Sequence, residues 1–249
     1  MNLSTVIAER GNKTVYRDGK TAVKLFDGTF GAADVLNEAL NHAIVYETGF
    51  AVPQLIEVAK TDGKWAIVTE FIEGDTLLRK MVDQPEENEG HIARLVDIQL
   101  RMHSFNAKRL RHHTDKMYGK IQESGLDPTA IYELHTRLNS LPRHDKLCHG
   151  DFMPENIIIT PSDDVYVLDW SHATQGNASA DAARTYLRFL LADSALFAEQ
   201  YLAFFCEKSG TARSYVQKWL PIVAASQLVK GKPKEKEFLL KWTDVVEYE

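Results

Sequence analysis

The chain has 249 residues, 44% hydrophobic and 26% charged, the composition of a soluble globular protein forming one large domain or two lobes. The formal net charge of −6 argues against nucleic acid as the main partner. No run approaches the roughly 20 apolar residues that span a bilayer, so no membrane association is expected. The start M-N-L-S-T-V-I-A-E-R has neither a charged leader nor a cleavage site, and the cytoplasm is the expected location. Cys148 and Cys206 belong to no C-x-x-C pattern, which suggests neither a disulfide nor a zinc site.

Residues 4–26 read as three strands, Thr5–Ala8, Lys13–Arg17 and Thr21–Phe26, with Asp18-Gly19 turning the second hairpin. Between the first two lies E-R-G-N-K-T. A glycine turn there can present N–H groups to phosphates, with Gly11 and Asn12 as the candidates. Gly11 is its only glycine, however, so a plain hairpin fits equally well. In T-A-V-K-L-F, alternation puts Lys24 on one face with Ala22 and Phe26. A lysine so placed snorkels or has an ionic partner. A helix from Ala32 to Thr48 follows, with Leu36, Leu40, Ala43, Ile44 and Tyr46 as its apolar face and Gly49 at its end. Ile56–Lys60 and Trp65–Glu70 read as two further strands across Thr61-Asp62-Gly63-Lys64, and Gly74 and Asp75 turn the chain into a short helix over 76–82.

The periodicity predicts a core helix from Ile92 to Phe105 and a loop over 112–126. His103 has no carboxylate or second histidine at a helical i,i+4 spacing, so it is not read as a metal ligand. Asp127-Pro128 starts a helix that Pro142 ends. Beyond residue 177, helices are expected over Ala182–Leu191, Leu196–Cys206 and Tyr215–Leu228, the last bent or broken by Pro221. K-G-K-P-K-E-K, 230–236, reads as a linker to a final amphipathic helix holding Phe238, Leu239, Leu240 and Trp242.

The densest chemistry lies in L-C-H-G-D-F-M-P-E-N-I-I-I-T-P-S-D-D-V-Y-V-L-D-W, residues 147–170. Ile157–Ile159 and Val165–Leu168 are short apolar strands joined by the polar turn Pro161–Asp164. Asp151 and Asn156 stand at the entry of this hairpin and Asp169 at its exit, bringing three oxygen ligands to one end. Hard oxygens suit Mg²⁺ bound together with phosphates. Each residue taken alone also fits a turn; the three at this spacing point to chemistry.

The spacing H-x-D-x-x-x-x-N followed by a strand-borne Asp resembles the catalytic segment of the protein-kinase fold. With Gly150 and L-D-W in their places, it looks specifically like the aminoglycoside and choline phosphotransferase family. The resemblance implies an α+β, two-lobed protein-kinase-like fold. Residues 1–73 would form a small N-terminal antiparallel sheet plus one helix, and residues 74–249 a larger, mainly helical lobe. It further implies Asp151 as the catalytic base and Asn156 and Asp169 as Mg²⁺ ligands. Lys24 would bind ATP phosphates and Glu38 would pair with it, a solvated helix position being the alternative for Glu38. Backbone groups near Glu70, Phe71 and Ile72 would meet adenine. His149 would brace the backbone around Asp169. Gly176, Asp181 and Arg184 match the family pattern after the metal aspartate, with Asp181 capping and anchoring a helix beneath the catalytic loop.

The expected function is transfer of the ATP γ-phosphoryl group to a small-molecule hydroxyl on an aminoglycoside-like compound, amino alcohol or sugar. The absence of A-P-E and of a long activation loop argues against a protein substrate. Residues 74–207 carry 20 acidic against 14 basic side chains, which is compatible with a cationic acceptor, although a solvated acidic surface is the preferred reading of the same count. Glu155, Asp193 and Glu199 are acidic pocket candidates. Two rival readings are a nucleotide-binding module without catalysis, which the single-glycine loop favours, and a metal-dependent phosphohydrolase. The lack of H-x-H or D-x-D counts against the phosphohydrolase.

Overall fold

The computed structural model describes residues 3–244. In chain order it contains β1 (Thr5–Arg10), β2 (Lys13–Asp18), β3 (Thr21–Phe26), α1 (Ala32–Glu47), β4 (Leu55–Thr61), β5 (Lys64–Glu70), β6 (Asp75–Thr76) and α2 (Leu77–Asp83). There follow α3 (Asn88–His103), α4 (His113–Gln122), α5 (Pro128–Ser140), β7 (Lys146–Cys148), β8 (Ile157–Ile159), β9 (Val165–Val167) and β10 (Thr174–Gly176). The chain continues with α6 (Ala178–Leu191), α7 (Ala195–Ser209), α8 (Arg213–Gln217), α9 (Leu220–Leu228) and α10 (Pro233–Leu240).

Packing divides the chain into two units, Met1–Asp83 with Pro154–His172, and Gln84–Met153 with Ala173–Glu249. The first unit therefore extends past residue 73 and takes in the β8–β9 hairpin. The reason is a strand ladder: β6 pairs with β8, joining Asp75 to Ile159 and Thr76 to Ile158. Residues 1–2 and 245–249, the ends of the lobes expected from sequence, lie outside the described residues.

In the first unit an antiparallel sheet runs in the order β1-β2-β3-β5-β4. Its register sets Lys24 opposite Val15 on one side and Ile67 on the other. Alternation then sorts the core. Phe26 and Ile67 pack with Val35 and Ala39 of α1, while Val23, Ala66 and Val68 form a cluster on the opposite face.

The inward side of α1 differs from the expected one. Leu36, Leu40 and Tyr46 are about half exposed, and the buried set is Val35, Glu38, Ala39, Asn41, His42, Ile44 and Val45. The helix turns a partly polar stripe inward because Glu38, Asn41 and His42 find partners there. Apolar count alone misassigns such a face.

The second unit is helical. Ile92, Leu95, Val96 and Met102 of α3 are fully buried, α6 packs against α7 and α9, and α4 packs against α5 and α9. Segment 112–126, expected as a loop, contains α4. His113, Met117 and Ile121 recur at i, i+4 and i+8 and are all buried, a stripe that outweighs Gly119 and the polar residues between them. The segment expected to be bent or broken by Pro221 is broken: α8 ends at Gln217, and Pro221 lies in the first turn of α9, where its missing N–H is tolerated. Pro233 likewise opens α10 inside the stretch expected as a linker.

Candidate functional site

The first unit brings three expected residues together. Lys24 Nζ of β3 donates to Glu38 Oε1 of α1 at 2.5 Å and to Asp169 Oδ1, just beyond β9, at 3.0 Å. Burial would lower the Lys24 pKa, but the charges of Asp169 and Glu38 outweigh it and raise the value. Burial would likewise raise Asp169, whereas Lys24 and then Lys13 hold it well below the ordinary carboxylate range. The group is therefore an ionised cluster, and Lys13 completes it with a bond to Glu38 Oε2 at 3.2 Å. Lys13 was not singled out in the sequence; its place at the start of β2, next to the glycine turn, was the available signal.

Asp169 has φ 62, a left-handed conformation that aspartate tolerates better than most residues. Ser171 Oγ donates to its Oδ1 at 3.0 Å. Asn156 is buried, and its carbonyl accepts the N–H of Leu168 at 2.8 Å, which ties the entry of the hairpin to its exit. Helix α1 fixes the same region from outside the sheet: Asn41 Nδ2 donates to the carbonyls of Trp170 at 3.4 Å and Ser171 at 3.5 Å.

These groups line a cavity of about 480 Å³ within this unit. Its walls include Val15, Ala22 and Ile67 from the Lys24 face of the sheet, and Glu70, Phe71 and Ile72 after β5. Asn156, Asp169, Lys24 and Glu38 form its charged part. The N–H groups of Glu70 and Phe71 are spent on the carbonyls of Gln54 and Lys20, each at 2.9 Å. Ile72 N–H has no partner among the described residues. Gly11 and Asn12 form the β1–β2 turn but are not among the residues lining the cavity, whereas Lys13 is.

Asp151 lies in the second unit, in the loop after β7. Its backbone N–H donates to His149 Nδ1 at 3.2 Å, and its Oδ1 lies 3.1 Å from Arg188 Nε. The loop is held from α6. Asp181 Oδ1 accepts the N–H of Gly150 at 2.7 Å, and Thr185 Oγ1 donates to the carbonyl of Phe152 at 3.0 Å. Asp181, Thr185 and Arg188 stand at i, i+4 and i+7, so one helical face carries all three supports.

Asp181 Oδ2 further accepts from the N–H of His149 at 3.3 Å and from Gln99 Nε2 at 3.1 Å, and lies 3.1 Å from His103 Nε2. Burial would raise its pKa; the bond to His103 and that residue's charge lead the opposing effects and hold it well below the usual range. Asp181 was expected to cap and anchor the helix beneath this loop; it ties α6 to the loop but does not cap the helix. The cap is Asn177, whose Oδ1 accepts the N–H of Ser179 at 2.9 Å. Cys148 adjoins Asp181 and His103, with ligand atoms within 4.8 Å of one another. Burial pushes its thiol well above the ordinary value, which keeps it protonated, and its Sγ points at the carbonyl of Asn177. His103 and Asp181 are thus joined by a hydrogen bond, and Cys148 beside them is a protonated core thiol. Among the acidic pocket candidates, Glu155 lines the first unit's cavity, and Glu199 is engaged by Tyr186 and Arg213, each at 2.7 Å.

The antiparallel sheet with its single paired helix and the larger helical part define a protein-kinase-like fold. The phosphotransferase enzyme family matches residues 5–217, and the chain belongs to that family. No curated protein matches it in sequence. Among solved structures, aminoglycoside phosphotransferase APH(4)-Ia, in a thermostable mutant complexed with ADP and hygromycin B, is similar with TM-score 0.69 and 14% identity. That match covers 96% of this chain and 90% of the other. A choline/ethanolamine kinase family protein from Mesorhizobium loti gives TM-score 0.63 at 17% identity, over 97% of this chain and 85% of the other. Choline kinase LicA from Streptococcus pneumoniae gives 0.63 at 16%, over 95% and 88%. No helix among the described residues is long and apolar enough to cross a membrane.

Proposed function

We propose that the protein is a cytoplasmic small-molecule kinase that moves the γ-phosphoryl group of ATP to a hydroxyl acceptor. The observation that carries this reading is the Lys24–Glu38–Asp169 cluster on the wall of a cavity that also reaches residues 70–72. Phosphoryl transfer asks a protein mainly to position groups and to neutralise charge. Lys24, kept protonated by two carboxylates, serves the nucleotide phosphates. Ile72 N–H and neighbouring carbonyls serve the adenine edge. The solved neighbours complexed with ADP or AMP-PNP and hygromycin B support the choice of nucleotide and of a small acceptor.

Asn156 and Asp169 offer an amide and a carboxylate oxygen from one hairpin, a donor set that fits Mg²⁺. When bound, the ion would offset charge on the β- and γ-phosphates. Asp151 accepts the proton of the acceptor hydroxyl, its orientation set by Arg188 and by the His149 bond to its own N–H.

The test is thermal stabilisation by Mg·ATP followed by ADP release with acceptors, because a ligand of the native state raises apparent stability. Asp151→Asn is expected to lose roughly 10²–10⁴ of turnover, the usual contribution of a general base, while keeping nucleotide binding. The rival, a nucleotide-binding module without catalysis, is favoured by one observation: the Gly11-Asn12 turn does not line the cavity. That reading predicts stabilisation by Mg·ATP with no turnover on any acceptor.

A further inference from the structure

The surroundings of Asp151 are basic. Lys116 and Lys120 stand at i and i+4 on α4, Arg184 and Arg188 at i and i+4 on α6, and Lys230 follows the end of α9. Helix α9 packs against both α4 and α6, so the three sources converge in one region of the second unit. Arg184 is only 8% exposed, and its Nε is buried without a hydrogen-bond partner. Neither Lys120 nor Lys230 forms an ion pair among the described residues.

Few carboxylates answer these charges. Asp151 is engaged by Arg188, Asp181 is spent on the catalytic loop, Glu235 of α10 bonds Lys232 at 2.8 Å and Gln227 at 3.0 Å, and Glu123 after α4 faces Lys120 without forming an ion pair with it. The consequence is visible in the lysines. Burial first, then the positive charges of Lys120 and Arg184, lower Lys116 to about 7. Burial and the Arg184 charge lower Lys230, also to about 7. Like charges gathered in a half-buried place destabilise a folded chain unless an anion joins them. Such a cluster beside a proposed base is a mark of a ligand site. Half-buried lysines around a buried guanidinium suit a small anion, not a polyanion lying on a surface.

We infer that the hydroxyl acceptor carries an anionic group, a carboxylate or a phosphate, and that Arg184, Lys120 and Lys230 bind that group while Asp151 meets the hydroxyl. This inference rests on the phosphotransferase reading and narrows its substrate. It departs from the cationic acceptor suggested by the formal charge of residues 74–207, because that excess does not describe the neighbourhood of Asp151.

The experiment is isothermal titration of the full chain with glycerol 3-phosphate, D-glycerate, orthophosphate, glycerol and choline at fixed ionic strength, with Mg·ADP titrated separately. One anionic probe is expected to bind at least about tenfold tighter than glycerol and choline. The phosphate and carboxylate probes decide which anion is preferred. Lys120→Gln and Lys230→Gln should each weaken that probe by roughly tenfold, Lys230→Arg should restore it, and Lys24→Met should leave it unchanged while losing Mg·ADP. These two lysines are less buried than Arg184, so their variants keep the test independent of folding. Choline binding as tightly as every anion, or anion binding indifferent to both Gln variants, would overturn the inference; intact Mg·ADP binding would leave the kinase reading standing. Anion binding without any Mg·ADP binding would overturn both the kinase reading and the acceptor role given to the anion.

Discussion

Lys24, Glu38 and Asp169 come from a strand, a helix and a hairpin exit; the pattern of the sequence singles out Lys24 and Asp169, whereas Glu38 came only from the family resemblance. A lysine between apolar neighbours on a strand, and an aspartate ending a strand near Asn156, are local patterns. The partners were not local. Lys13 shares Glu38, Arg188 holds Asp151, and Asn41 meets the carbonyls after Asp169; each contact depends on which faces the fold turns inward. The single-glycine turn was the weakest reading, and Gly11 and Asn12 indeed do not line the cavity. Asp169→Asn tests the residue scale most directly. It removes one of two carboxylates from Lys24 while Glu38 remains, so the fold should persist. Turnover should fall by a factor on the order of 10² to 10³, the scale of losing one preorganised electrostatic contact. Steady-state kinetics beside a thermal melt would check this, and unchanged turnover would remove Asp169 from the site.

Among elements, those marked by their own punctuation were read closely: β3 was placed residue for residue, and α5 starts at Asp127-Pro128, with Asp127 Oδ1 accepting from Thr129 and Ala130. Elements governed by tertiary contacts were not. Helix α4 needed the burial of His113, Met117 and Ile121 to declare itself, and the polar inward stripe of α1 ran against its apolar count. The short β6 shows how an element too small to predict can set a site. It seats the β8–β9 hairpin, and Gly74 just before it has φ 156 and faces the backbone of Ile159. A Cβ there would overlap that backbone oxygen, so the strand pairing would have to part. Gly74→Ala should therefore cost about 1–3 kcal/mol, as overpacking does, and lower activity through displacement of Asn156 and Asp169. Urea melts with parallel assays would check it; full activity at wild-type stability would mean that the ladder does not position the hairpin.

At the scale of the whole molecule, linear charge counting and local charge disagree, because a count averages over residues that the fold separates. The basic group around Arg184 gives that disagreement a measurable form. Lys116 and Lys230 sit near 7 in the folded chain against an ordinary lysine value of 10.5. Above pH 7 the unfolded chain therefore holds more protons at these two sites than the folded one. Stability should then rise with pH from that point toward the ordinary lysine value. His113, lowered by burial to about 4, and His42, also lowered by burial, act in the same direction, but their effect fades above the ordinary histidine value of 6.5. Burial raises Cys148, whose opposing effect begins only near the ordinary thiol range. The lysines therefore dominate the window from pH 7 to 8. The melting temperature should climb across it, and Lys230→Gln should flatten the climb. Binding of an anionic acceptor should run the other way, tightest below pH 7 where both lysines are charged and weaker at pH 8. Melts and titrations at matched ionic strength would check the pair of trends. A melting temperature that falls from pH 7 to 8 in the wild type, unchanged in slope by Lys230→Gln, would mean that the lysines are not held near neutrality and that the basic group is solvated surface.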